Sequence, residues 1–175
     1  VYKRQVLENL TLSLSSMGKV SVGEVEERAR ELMESTGLKV PLDARVENLA
    51  VGVQQRVEIL RALLMGAKIL ILDEPTSVLT PVETVELFRT LRELKEMGVT
   101  IIFITHKLRE AKEVTDRITV LRKGRVVGVV ETSEVSEADL ARMMVGREVV
   151  LRIHKRPSRP GRPLLVVEDL WVRDD

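Results

Sequence analysis

The stretch Ile69-Leu-Ile-Leu-Asp-Glu-Pro75 constrains this chain more than any other. A short continuous apolar run, without alternation, reads as a parallel strand buried on both faces. This one ends in two adjacent carboxylates and a proline. Such a strand delivers its last residues to the carboxyl edge of a sheet, where α/β ligand sites form. A second apolar run, Val99–Ile104, follows after an intervening helix and places His106 just beyond its end. The helix between them opens with Thr80-Pro-Val-Glu83, with Thr as N-cap, Pro at the first helical position and Glu at the third. It continues through Val85, Phe88, Leu91 and Leu94 to Gly98. Strand, helix, strand predicts an α/β fold with a mostly parallel core sheet.

The flanks read differently. Residues 22–36 put Val22, Val25, Ala29, Leu32 and Met33 on one side of a helix that stops at Gly37. A second helix runs to about Met65, with Val57, Leu60, Leu63 and Leu64 as its stripe and Gly66 as its stop. Beyond the second strand come a short helix near Leu108–Val114, a hairpin turning at Lys123-Gly124, and a last helix from Ser136 to Gly146. Pro157, Pro160 and Pro163 then stand among five basic residues and no acid, the composition of a solvated linker. The expected division is an irregular segment at 1–20, a helical subdomain at 21–66, the C-terminal half of a catalytic core at 67–150, a linker at 151–163 and the first strand of a further unit at 164–175. Both ends look cut. Val1–Gln5 is expected to be foreign, because its codons can spell a transposon end used in sequencing libraries.

Composition removes several functions. The chain has 175 residues, no Cys, and 28 Lys+Arg against 27 Asp+Glu. Thiolate nucleophiles, disulfides and Cys-based zinc sites are therefore excluded. The near-neutral balance lacks the basic excess of a nucleic-acid surface, and Tyr2, Phe88, Phe103 and Trp171 are too few for a base-stacking platform. No apolar run approaches the roughly 20 residues of a membrane span.

Phosphate chemistry fits better. Asp73 can hold Mg²⁺ through its water shell, since Mg²⁺ takes hard oxygen ligands and keeps water. Glu74 can orient or deprotonate an attacking water. His106, at the carboxyl end of the next strand, can hydrogen-bond a transferring γ-phosphate. In Asn48-Leu-Ala-Val-Gly-Val-Gln-Gln-Arg56, Gly52 beside a helix N-terminus lets backbone N–H groups approach an anion, and Gln54 can add a side-chain donor.

In this order and spacing the three motifs resemble the ATP-binding-cassette (ABC) ATPase family over about residues 6–146. Leu49, Ala50, Val51, Gly52, Val53, Gln54 and Gln55 look like the family signature, commonly Leu-Ser-Gly-Gly-Gln. Leu70–Pro75 looks like the Walker B motif with its catalytic glutamate, His106 matches the switch histidine, and Thr76–Pro81 takes the D-loop position. Val-Gly-x-Gln-Gln-Arg-Val-Glu-Ile-Leu, Leu-Thr-Pro and Thr-His-Lys-Leu are similar to bacterial importers of simple sugars and nucleosides, whose ATPases fuse two cassettes in one chain. Leu-Thr-Pro leans toward the nucleoside branch.

The resemblance implies a partial P-loop NTPase with a helical signature subdomain. It implies ATP and Mg²⁺ as cofactors, Asp73 on the metal, and Glu74 and His106 as catalytic groups. The signature and Thr80 would face ATP held by the second cassette. Transmembrane permease subunits are the implied partners, with a solute-binding lipoprotein acting indirectly, no nucleic acid, and a cytoplasmic place on the inner membrane face. Three departures stand out. Ala50 replaces the usual Ser and loses a hydroxyl, Val51 replaces the first Gly, and Thr80 replaces the common D-loop Asp. No Gly-x-x-x-x-Gly-Lys-Ser/Thr occurs in these residues, so the P-loop strand is lacking and an apolar sheet edge and face should be left bare. Two other readings are a cassette ATPase of translation or DNA repair, and an inert structural fragment.

Overall fold

The computed structural model describes residues 4–15, 18–146, 161–162 and 164–171. Among the described residues, six α-helices and four strands follow one another as α1 (Val6–Ser15), α2 (Val22–Thr36), α3 (Val51–Leu64), β1 (Ile69–Asp73), α4 (Pro81–Glu96), β2 (Thr100–Ile104), α5 (Leu108–Val114), β3 (Arg117–Arg122), β4 (Arg125–Glu131) and α6 (Glu137–Val145).

The first helix corrects the expectation that residues 1–20 are irregular. Val6, Leu10 and Leu14 recur at four-residue spacing and are all buried. The N–H groups of Val6 and Leu7, unpaired within the helix, donate to the carbonyls of Ala44 and Leu42 at 3.0 Å each. Residues 4 and 5 join the same contact, since Arg4 accepts from Val46 N–H at 3.1 Å and Gln5 bridges Arg45.

The caps read from sequence at Thr80 and Ser136 are in place, and Ser21 adds one not predicted from sequence. Each forms a reciprocal capping box with the acid at the third helical position, and Pro81 opens α4. Gly37 and Gly146 end α2 and α6 in the left-handed conformation. Each cap is worth about 1 kcal/mol and fixes where its helix begins.

β1 and β2 pair in parallel, with Asp73 opposite Ile104. β3 and β4 form a separate antiparallel ribbon. One core joins α1 to α4 with the β1–β2 pair, through Val25, Leu60, Leu70, Phe88 and Leu94. Phe88 meets Phe103 edge to face at 5.9 Å, tying α4 to β2. A second, smaller cluster of Val120, Val135 and Leu140 sits beneath the ribbon and α6.

Two further points follow. β1 is not buried on both faces but leaves one bare, as expected of a sheet without the P-loop strand: Leu70 is 5% exposed, whereas Ile69 and Ile71 are 59% and 65% exposed. Ile102 and Ile104 continue that bare face, because α4 packs on the Leu70 and Phe103 side and nothing among the described residues covers the other. The strand expected at 164–175 does not form over residues 164–171. These are exposed and join no ladder among the described residues, and an apolar segment without a pairing partner has no reason to hold strand geometry. The linker at 151–163 lies outside the described residues except for Gly161 and Arg162, as do residues 1–3 of the N-terminal pentapeptide.

Candidate active site

The carboxyl edge of the parallel pair gathers the acidic and imidazole groups. β1 ends at Asp73, whose side chain is exposed at the sheet edge. The chain then turns sharply at Glu74, which holds φ of 45°. That left-handed backbone costs a non-glycine residue about 1–2 kcal/mol, so its surroundings must impose it. They do so through Glu74 N–H, which donates to Ile104 O at 2.9 Å, and through Glu74 O, which accepts from Ser77 N–H at 3.1 Å.

The same turn aims the Glu74 side chain at the loop after β2. His106 N–H donates to Glu74 Oε1 at 3.1 Å, and His106 Nδ1 lies 2.7 Å from that oxygen. For the ring to donate in this contact the imidazole proton sits on Nδ1, and the His106 side chain is otherwise exposed. Glu74 Oε2 is buried and has no hydrogen-bond partner among the described residues. Leaving such an oxygen unsatisfied costs about 1–3 kcal/mol. With one oxygen held by His106, the other keeps its accepting capacity unused, which a general base requires.

Behind these residues lies a second connection between the loops. Lys107 Nζ donates to Thr76 O at 3.1 Å and to Thr76 Oγ1 at 3.0 Å, and pairs with Glu110 at 3.1 Å. Thr76 Oγ1 in turn donates to Glu110 Oε2. The sequence offered no signal for the Thr76–Glu110 bond, because the two residues lie 34 positions apart, one on the loop after β1 and the other in α5.

The signature-like segment lies apart from this pair, at the start of α3. Ala50 is the N-cap and makes no side-chain cap hydrogen bond, as its methyl group requires. Val51 is exposed and Gly52 is buried. A Cβ on Gly52 would fall 2.7 Å from Glu83 Oε1 and 3.1 Å from Leu79 Cδ2, so glycine lets α3 seat against the loop that starts α4. Gln54 does not reach outward: its amide donates to Leu49 O at 2.8 Å, closing the turn. Val53 and Gln55 are half-buried. Thr80 is committed to capping α4, where Glu83 accepts from Thr80 N–H at 2.8 Å. That backbone bond, with the Thr80 hydroxyl second, holds the Glu83 carboxyl below its ordinary pKa. The structure thus brings Glu74 to His106, and Gly52 to the Leu79–Glu83 turn. Asp73 stands next to Glu74 without joining it. No cluster of three or more His, Asp or Glu side chains suited to a metal occurs among the described residues.

The chain is similar to several known proteins. Residues 2–77 match the family described as ABC transporter. The glucose import ATP-binding protein TsgD13 of Haloferax volcanii is 48% identical over 167 residues, which cover 95% of this chain and 30% of that protein. The nucleoside import ATP-binding protein NupA of Lactococcus lactis is 46% identical over 144 residues, or 82% of this chain and 28% of that protein. The chain thus spans less than a third of the length of these two curated relatives. Among solved structures, cbiO1 of Clostridium perfringens, part of the ABC transporter complex cbiONQ, superposes with a TM-score of 0.67 at 30% identity, covering 77% of this chain and 53% of that one. The parallel pair and its helices are therefore part of a cassette-type α/β fold.

Proposed function

We propose that this chain, which matches the ABC transporter family model over residues 2–77, supplies the hydrolytic edge of one cassette in an importer of simple sugars or nucleosides. The observation that carries this reading is the Glu74–His106 contact with its unpartnered Oε2.

In this reading Glu74 takes the proton of a water that attacks the γ-phosphorus of ATP as the bond to the β-phosphate oxygen breaks. His106 fixes Glu74 Oε1 and turns Nε2 toward the transferring phosphoryl group. Asp73 is the residue to hold Mg²⁺ through water. A single exposed carboxylate at a strand end suits an ion that draws its other ligands from water and phosphate, and it needs no three-residue protein cage. When bound, Mg²⁺ would neutralise charge on the phosphates.

Residues 49–55 serve a different nucleotide, one held by a second cassette. The first turn of α3 offers backbone N–H groups there, while Ala50 offers no hydroxyl. Gln54, folded onto Leu49, shapes that turn rather than reaching a ligand. ATP-driven closure of the two cassettes would move transmembrane permease subunits at the inner face of the membrane, with a solute-binding lipoprotein delivering the solute. The names of the glucose- and nucleoside-import relatives support import as the direction and small polar solutes as the cargo. ATP turnover of the full-length protein carrying Glu74→Gln tests the reading.

A further inference from the structure

Two loops meet at the carboxyl edge of the sheet, and they are joined twice. On the outer side His106 holds Glu74. On the inner side three side chains close a small circuit one to four residues further on: Lys107 Nζ contacts Thr76 O and Oγ1 at 3.1 and 3.0 Å, Lys107 pairs with Glu110 at 3.1 Å, and the Thr76 hydroxyl donates to Glu110.

The parts differ in burial in a telling way. Thr76 is 2% exposed, and the Glu110 side chain is 16% exposed. A carboxylate so placed is costly unless its oxygens are occupied, and here the Lys107 ammonium takes Oε1 while the Thr76 hydroxyl takes Oε2. The hydroxyl accepts from Lys107 and donates to Glu110 at once, so each member fixes the direction of the next. Lys107 adjoins His106, and Thr76 stands two residues after Glu74. A shift of the circuit therefore moves both reacting side chains relative to each other. The left-handed backbone at Glu74 needs outside support, and this circuit anchors the chain on its C-terminal side.

We infer that Thr76, Lys107 and Glu110 are positioning residues whose circuit sets the Glu74–His106 geometry for hydrolysis. None of them touches the reacting atoms. The inference rests on the reading of Glu74 as the base. Cutting the circuit should lower kcat and leave KM for ATP nearly unchanged, because misplacing a base affects the transition state and not nucleotide binding.

The test compares Glu74→Gln, Thr76→Val, Thr76→Ser and Lys107→Met in the full-length protein, by steady-state ATP turnover. The loss in Glu74→Gln defines the turnover that belongs to this site. Within that share, Thr76→Val should lower kcat by about 10-fold or more with KM within about twofold of wild type, while Thr76→Ser, which keeps the hydroxyl, restores most of it. Lys107→Met, altering a part-exposed side chain, gives the same kcat-only loss if Thr76→Val does not fold. Loss in Glu74→Gln with wild-type kcat in both circuit variants overturns the circuit alone. A Thr76→Ser defect equal to that of Thr76→Val also overturns it. Unchanged turnover in Glu74→Gln overturns the base assignment and the circuit with it.

Discussion

His106 grips one oxygen of Glu74 twice, from its backbone N–H at 3.1 Å and from ring Nδ1 at 2.7 Å, while the other oxygen stays buried and unpaired. The two contacts are unequal in what mutation can remove. The backbone donor survives any side-chain change, so Glu74 keeps part of its orientation when the ring is lost.

His106→Ala should therefore weaken hydrolysis without abolishing it. The expected loss at this site is about 100-fold in kcat, the scale of one deleted transition-state donor. Steady-state ATP turnover of the full-length protein checks this, and a change in KM with full kcat would contradict it.

Two glycines should respond oppositely to alanine. At Gly52 the added methyl would sit 2.7 Å from Glu83 Oε1, and Glu83 cannot swing away without releasing Thr80. Gly52→Ala should cost about 1–3 kcal/mol of stability, an overpacking effect. Gly23, in the first turn of α2, has nothing within 4 Å of its Cβ position, so Gly23→Ala should stabilise by about 0.5–1 kcal/mol. Urea unfolding midpoints separate the two.

Acid should loosen three helix starts. Glu24, Glu83 and Asp139 all have carboxyls held below their ordinary pKa: the backbone N–H leads at Ser21 and Thr80, and the hydroxyl leads at Ser136. A folded-state pKa below the unfolded one stabilises the protein above the unfolded value. That contribution is lost as pH falls through the folded value. The urea midpoint should fall with pH across and below the ordinary carboxylate range, and Glu83→Gln should flatten part of that slope. An unchanged slope would contradict the cap assignment.

The 175-residue chain on its own should self-associate. Ile69, Ile71, Ile102 and Ile104 form one exposed apolar face, at 59%, 65%, 47% and 45% exposure. Sedimentation velocity should show oligomers that Ile71→Lys with Ile102→Glu disperses. A wild-type chain that stays monomeric at high concentration would contradict this.

Much of the frame could be read from the residues alone, for local reasons. Thr80-Pro81-Val-Glu83 and Ser136 carry their caps within four residues, and Lys123-Gly124 carries its own turn. Asp73, Glu74 and His106 were legible because each follows an apolar run whose end a sheet must place at one edge. Helix α1 was not, since Thr11, Ser13 and Ser15 dilute its pattern and bond back to carbonyls four residues earlier. Its start is set by Ala44 and Leu42, more than 30 residues away. The contacts of Thr76 with Lys107 and Glu110 were hidden for the same reason. Spacing tells which face a residue takes, but not which distant atom it meets.

The most direct measurement is single-turnover ATP hydrolysis by the full-length protein with Glu74→Gln, alongside ATP binding by the same sample. ATP should bind at wild-type affinity, with hydrolysis at this site slowed by about 1,000-fold or more. Wild-type hydrolysis in Glu74→Gln at this site would contradict it.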